Sequence, residues 1–404
     1  SSGHLFCGDG KRSLKVEVCN PEAVQMQVNL ALLSDLSLMS ETKDTVLFVT
    51  VPTDKKHLVV EFPMDEVPAG FYQANLSWTS GEQSGSYSPF NIGFDPELIE
   101  SPQDKRPDFD DFWAKQLVAG SSLKGEVKLG ENHSKAKLQP WCAIRRRGYV
   151  VRTFELPMGD GERPATGLVA WPEGAQPKSL KLKVRFFGYG WGQTSFLGGD
   201  FKPDTLALAV TRHGEETDRE ADYYTNLKTN VLSGFCFRRT KRPETTDQLK
   251  MLLRDWRAIR WAKTLPEWNG SDLTVTGGSM GGFQSLAMAA LDKSVTSAVV
   301  TIPWHACIYG KAKFGRMGGW FPAWTEALGY FDTANFAKRI PSVTCRTEIP
   351  RAGLGDYVCP PTGVAKLWNA IPGTDKRIVW VQGSEHGYVP PEYEGRDFVR
   401  EGEK

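Results

Sequence analysis

The first 94 residues alternate between apolar and polar positions in short runs. Alternation over about four to eight residues is the pattern of a half-buried β-strand. Turn-forming residues such as Pro68, Gly70 and Gly81 separate the runs. Repeated short strands of this kind predict a small all-β sandwich domain of the immunoglobulin-like type over residues 1–95. The predicted strands are Leu14–Val18, Val24–Leu30, Val46–Val51, Leu58–Phe62 and Phe71–Trp78.

The pattern changes after a proline-containing linker at Asp95–Pro107. Asp108 is the predicted N-cap of a helix, because apolar residues recur at helical spacing over Phe109–Leu117. Strands then alternate with helices, which predicts an α/β domain over residues 96–404, with a mostly parallel sheet and helices on both faces. The segments are strands Tyr149–Leu156, Thr166–Trp171, Leu182–Phe187, Thr205–Val210, Leu273–Thr276, Ser297–Ile302, Thr344–Ile349 and Arg377–Val381, and helix Leu249–Ala262.

Charge and composition narrow the function classes. The chain has 404 residues, which suits two domains, and its 49 basic and 48 acidic residues give no sign of nucleic-acid or anionic-membrane binding. No apolar run is long enough to span a bilayer. Thirteen tryptophans favour a carbohydrate ligand mildly, since exposed Trp rings stack on sugar faces.

The seven cysteines do not settle the compartment. Cys7 and Cys19 are neighbours in the β-rich region and could form a disulfide. The others lie in apolar or proline-flanked surroundings, where buried thiols are expected; they are Cys142, Cys236, Cys307, Cys345 and Cys359. No Cys/His spacing resembles a metal site, and we expect no cofactor.

The most specific motif is Gly-x-Ser-x-Gly, formed by Gly277, Ser279 and Gly281 between a β-rich run and a helix-prone segment. Strand, tight turn and helix are the context of a nucleophile elbow. The glycines let strand and helix pass closely while Ser279 takes a strained conformation. The alternative is a glycine-rich turn with a solvated serine, because short motifs have false positives.

An elbow requires a second oxyanion donor from the loop after an earlier strand. The glycine-rich run Gly188–Gly192 follows directly on a predicted strand, so we assign the donors to the backbone N–H groups of Tyr189 and Met280. An ordinary glycine-rich βα loop is the alternative. Tyr189, Trp191, Trp304 and His305 are bulky residues in loops at the catalytic edge. We expect the last three to line the substrate pocket, although a packed His305 is the simpler interpretation.

A triad of this kind follows the chain order Ser, acid, His. Only His305 and His386 follow the elbow, and His386 lies in a glycine-framed loop after a late strand, where the base is expected. Asp356, after a predicted strand and before a helix, is the candidate acid. Glu385 and Asp332 compete with it, but adjacent residues such as Glu385 and His386 seldom face each other.

Several segments from Arg106 to the C-terminal loop together resemble the acetyl xylan esterase / cephalosporin-C deacetylase family of carbohydrate esterases. Each segment alone is weakly specific, and jointly they are specific. They are Pro107–Trp113, Phe187–Gly190, Thr211–Gly214, Leu253–Ala258, Tyr330–Asp332, Asn335–Ile340, Gly353–Asp356 and Pro360–Pro361.

The resemblance implies an α/β-hydrolase that removes acetyl groups from sugar hydroxyls. It places the nucleophile at Ser279, the acid at Asp356, the base at His386, and the oxyanion donors at Tyr189 and Met280. It implies an acetylated oligo- or polysaccharide partner, and we expect a secreted or periplasmic location.

Three features depart from the family pattern. Met280 stands where the family usually has Gln, and Gly387 where an acidic residue is common. The N-terminal β-domain is an addition that we expect to frame the entrance to the site. Because this domain can block the surface used in the family's ring-like hexamers, homo-oligomerisation stays open.

The leading function is therefore a serine esterase that deacetylates xylan or xylo-oligosaccharides through an acyl-enzyme intermediate. A general carboxylesterase and a prolyl-oligopeptidase-like serine peptidase share the fold and the triad order. The N-terminal segment is far too short for the β-propeller of such a peptidase. A non-catalytic carbohydrate-binding protein on an inactive scaffold is less favoured, because the Ser, Asp and His set is intact.

Overall fold

The computed structural model describes residues 5–391 except 9, 21, 23, 36–44, 53–55, 101–105, 132–146, 193–195, 197, 218, 310–319 and 342. Within this part of the chain, no helix combines the length and apolar character that a membrane span requires.

The N-terminal strands form two sheets around one core. A larger sheet has the order β1-β8-β6-β3-β4, with β7 paired to β6, and a smaller sheet pairs β2 with β5. Buried side chains from both sheets, such as Leu14, Leu30 and Phe62, meet in a common cluster. This agrees with a two-layer β-domain, and its immunoglobulin-like topology stays a prediction. The strands are β1 (Leu5–Phe6), β2 (Ser13–Cys19), β3 (Met26–Ser34), β4 (Thr45–Val51), β5 (His57–Pro63), β6 (Gly70–Ser80), β7 (Gln83–Ser86) and β8 (Phe90–Phe94).

The rest of the chain builds a third, nine-stranded sheet with the order β17-β16-β15-β14-β12-β13-β11-β10-β9. Strands β12 to β17 run parallel, and β9, β10 and β11 add an antiparallel extension. The mostly parallel sheet predicted from the alternation is thus present. The strands are β9 (Lys128–Leu129), β10 (Tyr149–Leu156), β11 (Ala165–Pro172), β12 (Leu180–Phe186), β13 (Thr205–Val210), β14 (Trp268–Gly278), β15 (Ser297–Thr301), β16 (Arg346–Gly353) and β17 (Lys376–Val381).

Helices cover this sheet, and α4 (Met280–Leu291) is the most buried of them. Most of its residues are apolar, and those from Met280 to Ala290 are buried, as expected for a helix enclosed by sheet and neighbours. Asp108 occupies the N-cap position of α1, but its carboxylate accepts the Tyr330 hydroxyl at 2.6 Å and caps no backbone N–H. The helices are α1 (Phe109–Ser121), α2 (Ala221–Asn226), α3 (Asp247–Ala262), α4 (Met280–Leu291), α5 (Thr333–Ala337) and α6 (Pro361–Ala370).

The possible disulfide between Cys7 and Cys19 is not formed. Cys7 follows β1, a strand of the larger sheet, whereas Cys19 ends β2 of the smaller sheet. The expectation of buried thiols is confirmed for the second domain at Cys236, Cys307, Cys345 and Cys359. Cys142 lies outside the described residues.

Candidate active site

Ser279 lies at a sharp turn between β14 and α4. Its φ of 55° and ψ of −120° are strained for a residue with a side chain. A Cβ on Gly277 would lie 2.6 Å from the carbonyl carbon of Gly281, and a Cβ on Gly281 would lie 2.5 Å from the Phe186 oxygen. Both positions therefore require glycine for close strand–helix passage. The Ser279 carbonyl accepts the Trp304 N–H at 3.0 Å, which ties the turn to the loop after β15.

The imidazole of His386 lies against the carboxylate of Asp356. Nδ1 is 3.1 Å and 3.0 Å from the two carboxylate oxygens. The side chain of Asp356 is 1% exposed, and that of His386 is 28% exposed. Asp356 Oδ1 also accepts the backbone N–H groups of Val358 at 3.0 Å and Cys359 at 2.8 Å. These donors fix the carboxylate so that it holds the imidazole in one orientation.

The two competing acids have other surroundings. Asp332 caps α5 and accepts the N–H groups of Ala334, Cys307 and Ile308. Burial raises the pKa of Asp332 to about 6. Glu385 is exposed, and its backbone N–H donates to the Tyr388 carbonyl. Asp356 is thus the acid that the structure brings to His386.

Cys359 joins the loop that carries Asp356 to Ser279. Its buried thiol contacts the Ser279 hydroxyl, and burial raises the pKa of the thiol well above its ordinary value. Ligand atoms of Asp356, Cys359 and His386 lie within 4.8 Å of one another, so this is the set in the described chain that could hold a metal ion. Among the residues that the structure describes, no hydrogen bond joins Ser279 to His386. A hydrogen bond between a nucleophile and its base often becomes short only when substrate binds.

Three side chains from elsewhere in the chain hold the loop after β12 by contacts with its backbone carbonyl oxygens. Arg212 Nε donates to the Gly188 oxygen at 2.6 Å, His213 Nε2 lies 3.2 Å from the Gly190 oxygen, and Gln284 Nε2 donates to the Phe187 oxygen at 3.2 Å. In a trans peptide the N–H points away from the preceding carbonyl. Arg212 therefore fixes the direction of the Tyr189 N–H. Gly188 itself lies beside Ser279, which places this loop at the elbow.

His213 is buried within this support. Its ring packs on Phe235 with centroids 3.9 Å apart, and burial lowers the pKa of His213 to about 4 despite the nearby Glu215 carboxylate. The neutral ring then carries its proton on Nε2, where it can donate to Gly190. Sequence inspection found the Arg212–His213 segment only as part of a family resemblance.

The low pKa of His213 predicts how the free energy of unfolding depends on pH. The unfolded chain takes up a proton near pH 6.5, while the folded chain does so only near pH 4, so stability is lost as the pH falls through this window. At pH 5 this loss amounts to about 2 kcal/mol. In urea unfolding at pH 7 and pH 5, the wild type should lose about 2 kcal/mol more than His213→Gln. Equal losses in the two proteins would contradict a neutral buried His213.

The predicted pocket residues lie at different depths. Trp304 and His305 are fully buried, and the His305 ring stacks on Trp304 with centroids 4.1 Å apart. Trp304 Nε1 donates to the Trp320 carbonyl at 2.6 Å. Their side chains are therefore packing beneath the elbow, and the expectation that they line a pocket open to substrate is not met. Trp191 is partly exposed and packs edge-on against Tyr189 at 4.6 Å.

The sheet order, the turn at Ser279 and the Asp356–His386 pair are those of an α/β-hydrolase-like protein. Residues 99–313, more than half of the chain, match the model of the acetyl xylan esterase (AXE1) family. The chain belongs to this family, as the resemblance predicted.

Known relatives agree with this assignment. The acetyl esterase Axe7A of Xylanibacter ruminicola is 27% identical over 305 residues, which cover 71% of this chain and 65% of that protein. The chain thus spans less than two thirds of this relative. Acetyl xylan esterases from Paenibacillus sp. R4 and Thermoanaerobacterium sp. JW/SL YS485 share the fold, with TM-scores of 0.60 and 0.57 at 22% and 19% identity. Both cover 74% of this chain, and 95% and 94% of their own chains respectively.

Proposed function

We propose that this protein is a serine esterase that removes acetyl groups from acetylated carbohydrates, with xylan or xylo-oligosaccharides as substrates. The observation that carries the proposal is the buried Asp356 carboxylate bonded to His386 beside the Ser279 turn. Membership of the acetyl xylan esterase family and the activity by which its relatives are named support the acetyl group and the carbohydrate.

The proposed reaction has two halves. Ser279 Oγ attacks the acetyl carbonyl carbon while His386 Nε2 takes the hydroxyl proton, and Asp356 stabilises the resulting imidazolium. The N–H groups of Tyr189 and Met280 hold the oxyanion. His386 then passes the proton to the sugar oxygen as the carbon–oxygen bond breaks. A water molecule, deprotonated by His386, attacks the acetyl-serine, and acetate leaves while Ser279 recovers its proton.

The acyl side of the site should be small. Tyr189 and Trp191 pack against each other on the loop that follows β12, and Tyr189 also packs edge-on against Trp320 at 4.0 Å. Bulky rings at this place limit the space beyond the carbonyl carbon. The leaving-group side must accept a sugar, so discrimination falls on the acyl chain.

Activity should therefore fall steeply with acyl length. Each added methylene that does not fit costs about 1–3 kcal/mol in transition-state binding, or about 10- to 200-fold in rate. We expect acetate, butyrate and octanoate esters of p-nitrophenol to give kcat/KM values in that descending order, and acetylated xylan to release acetate.

Other outcomes identify the alternatives. Equal rates on acetate and octanoate would indicate a general carboxylesterase. Cleavage of a prolyl peptide amide with no ester activity would indicate a peptidase. Absence of turnover on the whole panel would leave a carbohydrate-binding function and would refute the proposed esterase.

A further inference from the structure

Strand β8 of the β-domain contacts the loops that carry the acid and the base. The Asn91 side-chain oxygen accepts a hydrogen bond from the Tyr357 hydroxyl, and the Asn91 backbone carbonyl accepts one from Gln382 Nε2 at 3.0 Å. Tyr357 follows Asp356 directly, and Gln382 lies four residues before His386. One residue of the N-terminal domain thus binds both loops.

The fit around Asn91 is close. A Cβ on Gly355 would lie 2.8 Å from Asn91 Nδ2, so the acid loop passes this side chain without room for a substituent. The Gly355 N–H donates to the Ser384 carbonyl at 3.0 Å, which joins the acid loop to the base loop at the same point. Asn91 therefore lies where the two loops meet.

A second contact holds the strand that leads to the base loop. The Phe71 ring of β6 packs on the Trp380 ring of β17 with centroids 4.8 Å apart, and Phe71 is part of the main hydrophobic core. Register pairs Phe71 with Gly93 across β6 and β8, so both contacts come from one part of the sheet. The contact between Phe71 and Trp380 thus fixes the β-domain against β17, close to the hydrogen bonds of Asn91.

We infer that Asn91 is a positioning residue, through which the β-domain sets the distance and angle between Asp356 and His386. The inference rests on the proposed function. It assigns the domain a part in the chemistry of every substrate, beyond framing the entrance for polymers. A displacement of about 1 Å in a reacting group can cost about 100-fold in rate, so a brace on two loops has a measurable kinetic value.

The test uses the full-length chain with Asn91→Ala and Tyr357→Phe. With p-nitrophenyl acetate we expect kcat to fall about tenfold in both, with KM within about twofold of wild type, because the contact orients catalytic groups and does not bind substrate. Both substitutions remove the same hydrogen bond, so the double variant should be no slower than Asn91→Ala alone. Tyr357→Phe keeps the test available should Asn91→Ala fold poorly.

The matched control is Asn369→Ala. Asn369 Nδ2 on α6 donates to the carbonyls of Pro96 and Ile99, so this variant also loses hydrogen bonds to the segment that follows β8 but touches neither loop. It should lower the unfolding temperature while leaving kcat unchanged. An equal loss of kcat in Asn369→Ala and Asn91→Ala would mean that general destabilisation is responsible and would overturn the proposal.

The NMR signals of the His386 ring give a readout that does not require turnover. At one fixed pH, the chemical shifts of the imidazole nitrogens depend on the hydrogen bond to Asp356, so Asn91→Ala should move them and Asn369→Ala should not. Unchanged ring signals and unchanged kcat in Asn91→Ala would refute the positioning role and leave the esterase proposal intact. Absence of esterase activity in the wild type would refute the esterase instead, and the ring signals would still decide the role of Asn91.

Discussion

Replacing Ser279 with Ala should lower activity on an acetate ester by about 10⁴- to 10⁶-fold while the protein stays folded. Removal of a triad nucleophile costs about as much as removal of the whole triad, because the members act as a unit. The hydroxyl lies at a turn that the flanking glycines shape, so its loss changes no packing between strand and helix. The measurement is kcat/KM on p-nitrophenyl acetate, with the far-UV spectrum and the unfolding temperature as checks of folding.

Ser285→Ala is the matched control for this prediction. Ser285 is buried on the same helix, α4, and its hydroxyl donates to the Gly281 carbonyl at 2.8 Å, away from the acid–base pair. It should keep activity within about threefold of wild type. A fluorophosphonate should label wild type and Ser285→Ala but not Ser279→Ala. Retention of more than about a tenth of the activity in Ser279→Ala would remove the serine from its proposed role.

Local patterns predicted the elements of the fold well. The predicted strands Tyr149–Leu156 and Thr205–Val210 have the bounds found in the structure, and the helix predicted from Leu249 begins two residues earlier, at Asp247. Boundaries are set by hydrogen bonding, which a sequence shows less clearly. The strand predicted at Thr344–Ile349 is an example: the observed strand β16 begins two residues later, at Arg346, and continues to Gly353.

The sharp turn at Ser279 and the contact between Asp356 and His386 were predictable because each has a local signal. Glycines at fixed offsets singled out Ser279, and chain order singled out Asp356 and His386. The side chains that hold the loop after β12 have no such signal. Gln284 contacts a carbonyl 97 residues away, and only the folded chain shows that Arg212 and His213 hold the same loop.

Burial was the property that sequence inspection judged least well. Trp304 and His305 follow a catalytic-edge strand, which predicted pocket walls, but the segment turns inward at His305, whose φ is 66°. Their rings then join the aromatic packing around Phe283. The same limit applies to Asn91, because nothing near it in the sequence indicates a partner 266 residues away.

The acid is the second component whose loss should be severe. Asp356→Asn should lower kcat by about 10⁴-fold, because the amide would hold His386 in the wrong tautomer. The backbone N–H groups of Val358 and Cys359 require an acceptor at Oδ1. An asparagine that satisfies them presents its NH₂ group to His386 Nδ1, which must then accept. The imidazole proton moves to Nε2, where a general base needs a lone pair.

Glu385→Gln is the control, since it makes the same change of carboxylate to amide in the adjacent base loop. Glu385 is exposed and its backbone N–H, which the substitution keeps, donates to Tyr388. We expect its kcat to stay within about twofold of wild type, because an exposed charge contributes little to a buried hydrogen-bonded pair. The comparison requires kcat and kcat/KM on one acetate ester across a range of pH. If Glu385→Gln were crippled and Asp356→Asn retained activity, Glu385 would be the acid, and the buried Asp356–His386 contact would be structural.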